Sequence, residues 1–117
     1  MNRLSLLAAM LLSANVVFAQ QDSITSEDKA YTAIEAIAEI QQLIKNDTGK
    51  VWQLMMRTTR TPSANFKYYW IQVGQTNKAS FYTQFNFYVD PKDFEVYMLD
   101  TKTDSIFTVP QWRLRHP

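Results

Sequence analysis

The sequence predicts an α+β domain in which one N-terminal helix packs on a four- to five-stranded antiparallel meander sheet, giving two layers. Only one stretch, Thr25 to about Lys45, has a helical period, with Ala30, Ala33, Ile34, Ile37, Ile40 and Ile44 on a single stripe. From Val51 nearly to the end, runs rich in β-branched and aromatic residues alternate with short turn sequences. A lone amphipathic helix beside such strands has to bury its stripe on one face of the sheet.

Ahead of the helix, Arg3 gives a positive start, Leu4 to Phe18 an apolar run, and Val17-Phe18-Ala19 a small-residue cleavage pattern. Residues 1–19 therefore read as a signal peptide, which places the chain in the periplasm or outside the cell. The run is shorter than the roughly 20 apolar residues of a membrane span, and no Cys follows Ala19 to carry lipid, so no stable membrane anchor is expected after cleavage. Residues 20–24 form a polar leader, and 25–117 form a single domain.

Each later element has its own signal. Thr25 or Ser26 can cap the helix, Glu27 and Asp28 complement its N-terminal dipole, and Asn46-Asp47-Thr48-Gly49 ends it, with Gly49 or Asn46 suited to a left-handed closing residue. Strands are expected over Val51–Arg60, Phe66–Val73, Ser80–Val89, Phe94–Leu99 and Ile106–Val109. Thr61-Pro62-Ser63-Ala64-Asn65, Gly74-Gln75-Thr76-Asn77-Lys78, Asp90-Pro91-Lys92-Asp93 and Asp100–Asp104 separate them.

Period-two alternation then assigns faces. Tyr69, Ile71 and Val73, with Phe81, Phe85, Phe87 and Val89 and with Phe94, Val96 and Met98, are expected under the helix. Tyr68, Trp70, Gln72, Tyr82, Gln84, Asn86, Tyr88 and Tyr97 fall on the opposite side and form the candidate partner-binding surface. A solvated sheet face is usually clothed in Lys, Thr and Glu. Tyr and Trp, with large rings and polar tips, are enriched where proteins meet partners, and the same rings can stack on sugars. The expected partner is another protein, with a glycan and a second copy of the chain as the other occupants of that surface.

Composition narrows the function classes. Removing residues 1–19 takes away Arg3 and no acid, leaving eleven basic and eleven acidic residues, scattered along the chain. Such a chain has no electrostatic footprint for nucleic acid. There is no Cys, so neither disulfides nor a thiol nucleophile enters, and the core must hold by apolar packing, to which the aromatic residues contribute, 16 in the whole sequence with only Phe18 inside residues 1–19. The single His, His116, is penultimate and expected to fray, which leaves no anchored participant for a His-based triad, acid/base pair or metal site. Asp90, Asp93 and Glu95 lack the ligand spacing of a calcium loop. No catalytic residue, metal or cofactor is assigned. Trp112 is expected to pack back on the sheet edge or helix end.

The helix, then Tyr68-Tyr69-Trp70-Ile71-Gln72-Val73-Gly74, then Phe87-Tyr88-Val89-Asp90-Pro91-Lys92 leading into Glu95-Val96-Tyr97, resembles the helix-then-meander plan of cystatin-like folds. The hairpin is similar to the closing hairpin of small exported PepSY-like domains, and the plan also resembles compact immunity proteins of the nuclear-transport-factor-like fold. Where the PepSY-like hairpin carries Gly before Glu-Val, this chain has Phe94. The resemblance implies a noncatalytic exported domain that binds or inhibits another protein, and carries over no catalytic residue.

Overall fold

A computed structural model describes residues 24–116; the signal-peptide reading lies outside them. The architecture is α+β. Helices α1 (Ser26–Glu35) and α2 (Ala38–Asn46) precede strands β1 (Gln53–Arg60), β2 (Tyr69–Thr76), β3 (Phe81–Val89), β4 (Val96–Asp100) and β5 (Ser105–Thr108), and α3 (Val109–Arg115) closes the chain. The strands form one antiparallel meander in the order β1-β2-β3-β4-β5. Ala30, Ile34 and Ile40 from the helices meet Ile71, Val73, Phe87, Val89 and Met98 from the sheet in one buried core. No described helix is long and apolar enough to cross a membrane.

The expected single helix is in fact two. Thr25 starts α1 with a reciprocal cap: its Oγ1 accepts the Asp28 N–H at 3.1 Å, and its own N–H donates to Asp28 Oδ2 at 3.2 Å. At Ile37 the backbone turns extended (φ −74°, ψ 133°), and α2 restarts one residue later. An unbroken helix over 26–46 would run about 31 Å, against about 27 Å for an eight-residue strand. The break instead redirects the apolar stripe so that Ile40 is buried and Leu43 packs on the core, while Ile44 is left 46% exposed.

Gly74, expected in a turn, lies inside β2. The strand continues to Thr76, and the turn comes later, with Asn77 Oδ1 accepting the N–H groups of Ala79 and Ser80 at 2.8 Å each. Val73 pairs with Phe85 but Gly74 pairs with Thr83, so β3 carries one extra residue at Gln84. This bulge exchanges the two sides of β3 beyond it. Phe81 pairs with Thr76 on the side away from the helices, and Tyr82 pairs with Gln75 on the helix side.

The two later hairpins share one construction. Asp90 Oδ1 accepts the Lys92 N–H and Asp100 Oδ1 accepts the Lys102 N–H, both at 2.9 Å. In each loop the fourth residue after the Asp takes the left-handed conformation: Phe94 at φ 59° and Asp104 at φ 55°. Gly would fit either position, but the two residues differ in what they bring. The Phe94 ring packs on the core and lies under Lys29, 5.9 Å from its Nζ, whereas Asp104 is exposed. Asp104→Gly is accordingly expected to raise stability by up to about 1 kcal/mol, and Phe94→Gly to lower it despite relieving the same backbone strain. Urea midpoints at constant m-value would show the opposite signs.

Beyond the expected elements, the chain ends in the helix α3. Thr108 caps it reciprocally with Gln111, and Pro110 occupies its first turn. Trp112 packs on the core edge-on to Phe85, with centroids 6.0 Å apart, and Arg113 makes a two-pronged ion pair to Glu39 of α2 at 2.7 and 3.0 Å. His116, expected to fray, stacks on Trp112 at 4.6 Å, while its Nδ1 lies 3.0 Å from the Trp112 carbonyl.

Candidate binding face of the sheet

All three helices contribute to the side of the sheet that carries Ile71, Val73, Phe85 and Phe87. The opposite side is covered by no described helix. Cross-strand pairing brings Trp70 beside Tyr88, Gln72 beside Asn86, and Tyr88 beside Tyr97, so these candidates share one surface. Tyr68, just before β2, joins them through its ring: it stacks on Tyr88 at 5.2 Å and meets Tyr97 edge-on at 5.7 Å. Trp70 abuts Tyr88 at 5.8 Å. The result is a continuous strip of four rings across β2, β3 and β4.

Amides hold the strip in place. Asn86 Oδ1 accepts from both Trp70 Nε1 and Gln72 Nε2 at 3.0 Å, and Gln72 Oε1 accepts from Arg57 Nε at 3.1 Å. Trp70 thus has its indole N–H satisfied and its orientation fixed. Tyr68, Trp70, Gln72, Asn86, Tyr88 and Tyr97 are all half-buried by one another, leaving a firm, partly apolar surface. Gln84, at the bulge, is exposed beside them.

Tyr82 does not belong to this surface. The bulge turns it to the helix side, where it is 71% exposed and meets Trp52 edge to face, at 6.4 Å. Other residues extend the outer surface, of which alternation assigns only Phe81, and to the helix side. Phe66, from the turn closed by Ser63 and Phe66, folds over the strip and meets Tyr88 at 5.2 Å. Phe81 comes round to lie above Gly74, where a side chain would have obstructed it. Arg57 and Arg60, three residues apart, would point to opposite faces of a regular strand. An irregularity between Thr58 and Arg60 pairs Arg57 with Gln72 and Arg60 with Trp70, so both reach the outer face.

These cations rest on rings. The Arg57 guanidinium lies 3.9 Å from the Phe81 centroid, the Arg60 guanidinium 4.1 Å from Phe66, and Lys67 Nζ 5.3 Å from Tyr68. Lys67 also pairs with Asp90 at 3.3 Å. Loss of solvent is the main cause that raises the phenol pKa of both Tyr88 and Tyr97; Asp104 adds to the first, and Tyr68, Asp93 and Glu95 to the second. Both phenols are therefore neutral hydrogen-bonding groups at physiological pH.

No family model, curated protein or solved structure matches this chain. The face has to be interpreted from its own chemistry. A separate cleft of about 540 Å³ opens where β3 runs on beyond its last pairing with β4, between Gln84, Asp100, Lys102, Trp112, Arg115 and His116. Among the described residues no three of His, Asp and Glu converge as metal ligands. The ring strip is the more organised of the two features.

Proposed function

We propose that this chain is an exported, noncatalytic module that binds another protein through the outer face of its sheet, in the manner of an inhibitor or a periplasmic immunity protein. The observation that carries the reading is the strip of Tyr68, Trp70, Tyr88 and Tyr97, pre-positioned on a sheet face that no described helix covers. Rings already fixed by packing and by Asn86 lose little side-chain entropy on binding, and Tyr and Trp are the residues that dominate protein interfaces. Protein is favoured over glycan as the occupant because Tyr68 and Tyr88 cover each other's ring faces, interplanar angle 21°, where sugar stacking would need them open. The signal-like N-terminus and the cystatin-like order of elements support an extracytoplasmic binding role.

The test is photocrosslinking in the producing cell, with benzoylphenylalanine placed at Tyr97 or at Tyr82. Position 97 is expected to give a protein adduct and position 82, on the other side of the sheet, none. Equal labelling at both positions, or no adduct at 97, would remove the proposed face. An adduct of twice the chain's own mass would identify the partner as a second copy.

A further inference from the structure

Two guanidinium groups on the outer face share one arrangement, which Arg115 repeats over Phe107, 4.4 Å from its centroid, on the helix side of the sheet. Arg57 and Arg60 are exposed, each is held flat against an aromatic ring, and neither lies within ion-pair distance of a carboxylate among the described residues. Their one hydrogen-bond partner among the described residues is neutral: Gln72 takes one N–H of Arg57, and the described residues leave the rest of each donor fork unused. Stacking fixes the plane of a guanidinium while leaving its edge free, which is the arrangement that accepts a carboxylate through two parallel hydrogen bonds. An aromatic floor also strips water from one side of the cation and strengthens whatever charge it meets at its edge.

We infer that the partner bound by this face is a protein segment bearing acidic side chains, whose carboxylates dock on the stacked guanidinium groups of Arg57 and Arg60 beside the aromatic strip. The inference rests on the reading of the outer face as a protein-binding surface and adds the chemistry of its partner. Charge complementarity argues for it from both ends of the strip. The β1 side carries the two arginines, which have no carboxylate partner among the described residues, whereas Asp93 and Glu95 act on Tyr97 and Asp104 on Tyr88 toward the far side; of the cations that also reach these phenols, Lys67 is paired with Asp90 and Arg60 belongs to the β1 side itself. A uniformly charged polyanion laid across the strip would meet those acids and be repelled. A protein segment of mixed charge, acidic at one end, matches both rims, and each correct juxtaposition raises specificity and association rate.

Selection of a random dodecapeptide display library on the purified protein tests this without knowledge of the natural partner. Enriched peptides are expected to combine Asp or Glu with apolar residues and to bind more weakly as salt is raised. Arg57→Gln and Arg60→Gln should each reduce their affinity roughly tenfold, and Arg57→Lys by less, because it keeps the charge and loses the fork. Unchanged thermal melting of these exposed-residue variants separates lost binding from lost folding. Peptides that show no acidic preference, or that ignore both Gln substitutions yet lose binding on Tyr97→Ala, would overturn the arginine inference and leave the aromatic face standing. Peptides indifferent to Tyr97→Ala as well as to the Gln variants would overturn both. Two further outcomes count against an acidic protein segment. One is preferential capture of heparin or single-stranded DNA at matched charge; the other is concentration-dependent self-association that is lost on Arg60→Gln.

Discussion

Gly74→Ala is expected to destabilise the domain by about 3 kcal/mol, a large part of the 5–15 kcal/mol typical of a small protein. The reason is space rather than conformation. A Cβ built on Gly74 runs into the backbone carbonyl oxygen of Tyr82, with the Phe81 ring at 3.0 Å behind it. A flexible side chain could swing aside, but a carbonyl held in the β2–β3 ladder cannot move without undoing the bulge. Gly49 supplies the contrast, since it has a left-handed φ of 65° and nothing within 4 Å of the added methyl. Gly49→Ala should therefore cost only the conformational term, about 1 kcal/mol. Urea denaturation of the two variants separates the effects: a Gly74→Ala protein as stable as Gly49→Ala would mean that β2 and β3 are not so closely opposed at this bulge. The consequence reaches the outer face of the sheet, because Phe81 lies above Gly74 and Arg57 rests on Phe81. Any Gly74→Ala protein that still folds should also bind acidic peptides less well.

The same glycine shows where the sequence was legible and where it was not. Strict alternation in Tyr69–Val73 and Phe85–Val89 placed both sides of the sheet correctly, because those segments are paired without interruption and one side is covered by helices. Gly74 followed by Gln75, Thr76 and Asn77 has the composition of a turn, and that local signal competed with a second meaning of Gly within a strand, the close approach of another backbone. Period-two alternation carries no sign of the bulge, so it puts Tyr82 and Phe81 each on the other's side and hides the ring on which Arg57 rests. The extra residue in β1 between Thr58 and Arg60 has no such marker, so nothing in Thr58-Thr59-Arg60 indicated that both arginines would share the outer face. The C-terminal helix did have a signal, in Thr108-Val109-Pro110-Gln111, a cap residue with Pro in the first turn and Gln at the third position. Phe94 is intermediate: a hairpin that favours Gly accommodates Phe because the ring gains burial against the core, which outweighs a left-handed backbone cost of about 1–2 kcal/mol.

Asp90→Ala is expected to cost about 2 kcal/mol, and Asp90→Asn less, with a pH dependence that identifies the cause. Asp90 is the buried charged residue of the described core, 6% exposed, and every polar group it has is engaged. Its N–H donates to the Glu95 carbonyl at 3.0 Å, its carbonyl accepts from Phe94 at 2.8 Å, Oδ1 accepts from Lys92, and Oδ2 pairs with Lys67. It thereby joins the segment leading into Tyr68 to the hairpin leading into Tyr97. The Lys92 N–H, and after it Lys67, hold the Asp90 carboxyl below its ordinary value against the opposing effect of burial. A carboxyl depressed in the folded state binds its proton less readily there than in the unfolded chain. Its stabilising contribution is complete above the unfolded value, near pH 4, and is lost as pH falls through the lower folded value. The stability difference between the wild-type protein and Asp90→Asn should accordingly be constant from pH 7 to about 5 and shrink below about 4. Glu39, depressed by Arg113, contributes an acid limb in both proteins and cancels in the difference. A difference that stayed constant to pH 2 would place the effect in shape and hydrogen bonding alone. Loss of Tyr68–Tyr97 packing in the variant, visible as altered near-ultraviolet circular dichroism, would tie this charge to the geometry of the ring strip on the outer face.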